Sequence, residues 1–217
     1  MPFADRVDAG RQLAKALARY KGQDVVVLAL PRGGVPVAAQ VAEALRAPLD
    51  LILVRKIGVP MQPELAMGAV VDGATPLVVR NEDVIQLANV DEDEFKSICD
   101  AELAEIERRR TLYLGDRKRV DVCGRVTIVV DDGIATGATT RAALRATRAR
   151  MPKKLVLAVP VAPTEGLSDM QAEADEVVCL EDHQAFGAIG YYYSDFRQIS
   201  DREVIDALAH SAAAPTR

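Results

Sequence analysis

The chain has 217 residues, 49% hydrophobic and 27% charged, the proportions of a globular protein with a full core. That composition excludes a disordered chain, a collagen-like chain and a disulfide-stapled miniprotein, and the length suits one domain. The net charge of −5 argues against a dedicated nucleic-acid binder, though small anionic ligands answer to the local site rather than to the total.

In chain order, Asp5–Arg19 places Val7, Leu13 and Leu17 at helical spacing and ends near Gly22. Asp24–Leu30, DVVVLAL, is a continuous β-branched run, as expected of a strand buried on both faces. Val35–Arg46 reads as a helix and Leu49–Arg55 as a second buried strand. Glu64–Val79 is less regular, with two short strand-like pieces around the turn signal Asp72-Gly73. Glu92–Tyr113 is a long charged helix whose apolar stripe is Phe95, Ile98, Leu103, Ile106 and Leu112, and Arg108-Arg109-Arg110 reads as its solvated end.

The alternation then repeats. Arg125–Val130 is a strand, Gly137–Arg150 a helix, Leu155–Val161 a strand, Thr164–Ala174 a helix, Glu176–Leu180 a strand and Asp201–His210 a helix. The tail Ser211–Arg217 is small and polar and is expected to fray. Strands alternating with such helices imply an α/β fold: an open, mostly parallel twisted sheet with helices on both faces. Ligands in such sheets bind beyond the carboxyl ends of the strands. The chemistry is therefore expected at Pro31–Pro36, Arg55–Pro63 and Asp131–Thr140, each of which begins where a strand ends.

Cys99, Cys123 and Cys179 are far apart with no CxxC pair, which disfavours structural zinc and a disulfide framework. The first residues lack an apolar run of signal-peptide length, and no stretch reaches the roughly 18 apolar residues of a membrane span. A reducing, cytoplasmic compartment is the expectation. His183 and His210 are lone histidines and read as surface or packing residues rather than ligands.

The most informative segment is VTIVVDDGIATGATT, Val126–Thr140. A buried strand delivers adjacent carboxylates, Asp131 and Asp132, and a loop of small residues leads into a helix. The backbone N–H groups of Ala135, Thr136, Gly137, Ala138 and Thr139 can wrap a phosphate at that helix N-terminus, with the hydroxyls of Thr136 and Thr139 as further donors. Carboxylates beside a phosphate cradle repel it unless they hold hydroxyl groups or a bridging cation. A ligand carrying phosphate, vicinal hydroxyls and Mg²⁺ meets that condition.

The segment is neither a Walker A loop nor a GxGxxG fingerprint. It resembles the 5-phosphoribosyl-1-pyrophosphate (PRPP) motif of the type I phosphoribosyltransferases: a hydrophobic strand, two acids, a short spacer, then TGxT. The resemblance implies that Asp131 and Asp132 hold the ribose hydroxyls and the Mg²⁺ shell, and that Ala135–Thr139 bind the 5-phosphate. Where the hypoxanthine-guanine branch has an aspartate before TG, this chain has Ala135, as in the adenine enzymes.

After the first strand comes LALPRGGVPVAA, Leu28–Ala39, in which Arg32 brings a cation and Gly33-Gly34 conformational freedom. It resembles the family's pyrophosphate loop, whose basic-Gly-Gly core often carries a non-proline cis peptide, here expected between Pro31 and Arg32. After the second strand, in VRKIGVPMQPE, Arg55-Lys56 could neutralise departing pyrophosphate. By the same resemblance the mobile lid spans Val59–Asp72, and Glu64 is its candidate general base. The family also implies a small C-terminal hood, which divides the chain into a PRPP-binding core, 1–180, and a hood segment, 181–217.

Five of the nine Phe and Tyr residues, Phe186, Tyr191, Tyr192, Tyr193 and Phe196, fall in that segment. One of Phe186, Tyr191 or Tyr193 could stack on an acceptor ring, and packing of the hood is the alternative. Asp195, just past Gly190, is a further candidate on the metal side.

Together the resemblance implies Mg²⁺-dependent transfer of 5-phosphoribose from PRPP to a nucleobase-like or amine acceptor. Asp131, Asp132, Arg32 and Lys56 would be the catalytic set in a homodimer of nucleotide salvage, with no nucleic-acid or membrane partner. A non-catalytic PRPP sensor is the alternative, disfavoured by the presence of Arg32-Gly33-Gly34. A phosphohydrolase using Asp131 is disfavoured by the TGxT cradle.

Overall fold

A computed structural model describes residues 2–73 and 76–212, and of residues 211 and 212 only the backbone. The expectation for the tail therefore lies largely outside the described residues. The main sheet has five parallel strands in the order β2-β1-β6-β7-β8: Leu49–Leu51, Val25–Ala29, Val126–Val130, Lys154–Pro163 and Glu176–His183. The open parallel sheet read from the sequence is thus present.

Alternation within the apolar runs covers both faces. Val25, Val27 and Ala29 of β1 lie in the core on the face that α2 (Gly34–Leu45) covers, a core that also takes in residues of α1 (Arg6–Ala16), α4 (Glu92–Leu114) and α7 (Asp201–Ala212). Val26, Leu28 and Leu30 belong to the core on the other face, which also takes in residues of α5 (Ala138–Ala149) and α6 (Thr164–Gln171). All five β1 residues are buried, each Val or Leu side chain contributing about 1.5–3 kcal/mol. A β-branched run needs no period-two pattern when both faces are covered.

Leu49–Arg55 is not one strand. The Ile52 N–H still reaches the Ala29 carbonyl of the main sheet, but Leu53 accepts from the Asp72 N–H, and the chain leaves for a second sheet. This sheet is antiparallel, of β3 (Val54–Val59), β4 (Gln62–Val71) and β5 (Leu77–Arg80). Most of the expected lid, Val59–Asp72, is β4, hydrogen-bonded to strands on both sides.

A short helix not expected from the sequence, α3 (Glu82–Leu87), follows, with Asn81 accepting from the Val84 N–H as its cap. α4 opens on a capping box of Asp91 and Glu94. It corrects two readings: Leu112 is exposed rather than in the stripe, whereas Arg110 is buried and donates to Asp72 Oδ2 at 2.9 Å. Asp72 also accepts from Arg119, so this acid ties the root of the hairpin to the end of α4.

The C-terminal segment divides. Ile199, Val204 and Leu208 belong to the main core, whereas Tyr193, Phe186, Ile189 and Phe196 pack with Phe3 and Val161. Among the described residues no helix is long and apolar enough to cross a membrane.

Candidate active site

The loops after β1 and β6 meet at the carboxyl end of the sheet. The Leu30 N–H donates to the Val130 carbonyl, setting Gly33 and Gly34 against the acid pair. A Cβ on Gly33 would lie 2.0 Å from Asp132 Oδ2, and one on Gly34 would lie 2.9 Å from Asp131 Cα. Gly33 has φ −60° and ψ −38°, ordinary helical values. The loop therefore needs glycine there for space rather than for conformational freedom. The peptide between Pro31 and Arg32 is cis, as expected.

Asp131 and Asp132 differ in their surroundings. Asp132 is buried, and its Oδ2 accepts from Arg6 Nε at 2.8 Å. Asp131 is half-buried, and its Oδ1 accepts from the Asp132 N–H at 2.9 Å. Burial and the neighbouring Asp132 charge push the Asp131 carboxyl well above its usual range.

Beyond them the chain turns through Gly137, whose φ of +73° suits glycine, into α5. No side chain caps this helix, so its first N–H groups remain open to an anion. Ala135, Thr136 and Ala138 are exposed, Thr139 is half-buried and Gly137 is buried.

Other candidates lie further out. Arg32 reaches the corner between α4 and α7, where its Nη1 is 3.8 Å from Asp201 Oδ1. Tyr113 donates to the same oxygen at 2.6 Å, and burial with this acid pushes its hydroxyl up to about 12. Arg55 donates from Nε to Glu102 Oε2 at 2.5 Å and, with Lys56, lines a cleft of about 530 Å³ between β3 and α4. Glu64 is exposed on β4.

The aromatic cluster is largely packing. Tyr193 is 5% exposed, lies 5.4 Å from the Phe3 ring and donates its hydroxyl to the Asp132 carbonyl at 2.6 Å. Its covered ring is not offered to an acceptor, which corrects that part of the stacking expectation. Phe186 stacks on Tyr192, which in turn stacks on His183, and Tyr191 is the exposed ring of the group. Asp195 is exposed; its N–H donates to the Ala4 carbonyl and its Oδ1 accepts from the Arg197 N–H.

The sequence reading missed two partners of the acid pair: Arg6 and, in its actual role, the Tyr193 hydroxyl. A cation on the first residue of α1, directly after the cap Asp5 and where helices favour acids, is the one sequence signal at Arg6, and it does not name the partner.

At the carboxyl end of an open parallel sheet, where ligands bind in α/β folds of this kind, the chain gathers an acid pair, a Gly-Gly loop and an uncapped helix start. The model of the phosphoribosyl transferase domain matches residues 4–195, and the chain belongs to that family. Two Mycobacterium tuberculosis proteins, each named "Putative phosphoribosyl transferase" (MT0597 in strain CDC 1551, Rv0571c in strain H37Rv), are 48% identical over 203 residues. The match covers 94% of this chain and 45% of each relative, so the chain spans about half their length. The crystal structure of TT1426 from Thermus thermophilus superposes with a TM-score of 0.82 at 40% identity, covering 97% of this chain and 99% of that one.

Proposed function

We propose that this chain transfers 5-phosphoribose from PRPP to a ring nitrogen or amine of a small acceptor, releasing pyrophosphate. The observation that carries the reading is the packing of Asp131 and Asp132 on Gly33-Gly34 beside the uncapped start of α5. In the reaction the ribose C1–O bond breaks with its electron pair leaving on pyrophosphate. A C1–N bond forms, and the acceptor loses a proton to water or a base.

The residues suit Mg²⁺. The donors are hard carboxylate oxygens, and ionisation of Asp131, disfavoured by burial and by Asp132, is favoured by a nearby cation. Among the described residues no three His, Cys, Asp or Glu side chains gather as a metal site, so substrate oxygens and water would complete the shell. Asp131 and Asp132 would hold the ion through ribose hydroxyls or water. When bound, it would screen the pyrophosphate charge and ease C1–O cleavage.

This chain's own residues supply binding and orientation. The N–H groups of Ala135–Thr139 cradle the 5-phosphate, and Asp132 accepts from ribose hydroxyls. Gly33 and Gly34 let the pyrophosphate approach the backbone, and Arg32 supplies charge once it turns from Asp201. Arg55 and Lys56 serve the leaving group if the β3–β4 hairpin moves inward, which also excludes water. Tyr191 and Phe186 remain the rings for the acceptor. The reading includes a cytoplasmic homodimer of nucleotide salvage. In PRPP turnover with Mg²⁺, Asp132→Asn should lose activity; full activity in that variant would sink the proposal.

A further inference from the structure

Arg6 breaks two local rules. It is the first residue of α1, at the positive end of the helix dipole, where a cation is disfavoured. It is also 7% exposed, although arginine is rarely buried without partners. Its partners account for both departures. Nε donates to Asp132 Oδ2 at 2.8 Å, Nη1 donates to the Arg197 carbonyl at 2.9 Å, and the guanidinium lies 3.9 Å from the Phe196 ring centre.

The segment before it is tied down on the same side. The Phe3 N–H donates to the Tyr192 carbonyl, while the Ser194 and Asp195 N–H groups donate to Phe3 and Ala4. Tyr193, held in this bridge, donates its hydroxyl to the Asp132 carbonyl. Asp132 is therefore gripped twice, at its carboxylate by Arg6 and at its backbone by Tyr193. Asp131 is gripped by neither.

We propose that Arg6 is a positioning residue for the sugar-binding end of the site. Its guanidinium fixes the Asp132 carboxylate so that Oδ1 accepts from the ribose 2-hydroxyl, leaving Asp131 to face the cation. Residues 3–6 and the Tyr192–Phe196 segment are then parts of the ligand site rather than remote packing. The inference rests on the phosphoribosyl reading above and adds a division of labour between the two acids.

The test is calorimetric titration of the full chain, with Mg²⁺, by ribose 5-phosphate and by 2-deoxyribose 5-phosphate. Both probes carry the phosphate, and only one carries the 2-hydroxyl. Wild type should prefer the ribose form; equal binding of the two, or binding of neither, overturns the phosphoribosyl reading itself. Given that preference, Arg6→Ala should weaken ribose 5-phosphate about tenfold, the scale of one charged hydrogen bond, and leave the deoxy sugar within about twofold. A purely structural ion pair would weaken both equally, and that result, or an unchanged preference, overturns the inference.

Should Arg6→Ala fail to fold, Arg6→Lys keeps the charge but offers a single nitrogen in place of the rigid pair, Nε and Nη1, that reaches Asp132 and Arg197. It should lose at least threefold of the preference, and a wild-type ratio in that variant refutes the assignment. In an Asp132→Asn background, Arg6→Lys should change the ratio by less than about twofold, because Arg6 acts through Asp132.

Discussion

Gly33→Ala tests whether the two loops pack as described. The added Cβ would start 2.0 Å from Asp132 Oδ2 and 2.5 Å from Cγ, whereas ordinary contact begins near 3.4 Å. The backbone at Gly33 is already helical, so the substitution adds no conformational strain, only the clash. Relief requires the carboxylate to move by more than 1 Å, which takes it out of its 2.8 Å bond with Arg6. Overpacking costs about 1–3 kcal/mol, and breaking a buried ion pair about 3–5 kcal/mol. These are alternative ways to relieve one clash, so about 3 kcal/mol is expected, a fall in Tm of about 6–12 °C for a chain of this size. The assay is thermal melting with and without saturating ribose 5-phosphate and Mg²⁺. At about 100 times Kd the ligand should stabilise wild type by about 2.7 kcal/mol, and that gain should vanish in the variant. A variant that melts like wild type and keeps the gain would refute the packing argument.

Asp131 is raised by burial and by Asp132, so the folded chain holds a proton there that the unfolded chain releases near pH 4. Ligand-free stability therefore falls as pH rises from about 4 through the raised folded value. Asp131→Asn should melt higher than wild type at about pH 7 and equally near pH 3.5, while losing its response to PRPP with Mg²⁺; equal melting at both pH values contradicts this. Asp72→Ala strands Arg110 and Arg119 and should cost about 3–5 kcal/mol, so a drop in Tm under about 2 °C would show that the clasp contributes little. Burial pushes the Cys179 thiol up to about 12, whereas Cys123 is exposed. Alkylation of the native chain near pH 8, followed by peptide mapping, should mark Cys123 and spare Cys179.

The legible parts of the fold were those written in contiguous residues. The apolar runs of β1, β6 and β7 marked the sheet, and the DDGIATGATT and PRGG segments marked where its loops carry chemistry. What failed was set by distant partners. Leu49–Arg55 looks like one strand because apolar content does not reveal that Leu53 pairs with Asp72 instead of β1. Arg110 looks solvated until Asp72 is brought beneath it. α3 has six residues, too few to show a period. Arg6 is 126 positions from Asp132, and Tyr193 stood out only as an aromatic. The pairing of these residues with the acid pair exists only in three dimensions.

The central claim is phosphoribosyl transfer, and its most direct measurement is mass spectrometry of purified protein with Mg²⁺, PRPP and a mixture of nucleobases. Pyrophosphate and new nucleotide should appear together, in equal amounts, and only with Mg²⁺; the nucleotide would name the acceptor. PRPP that raises the melting temperature with Mg²⁺ yet yields no nucleotide would contradict transfer to these acceptors and favour a sensor of PRPP.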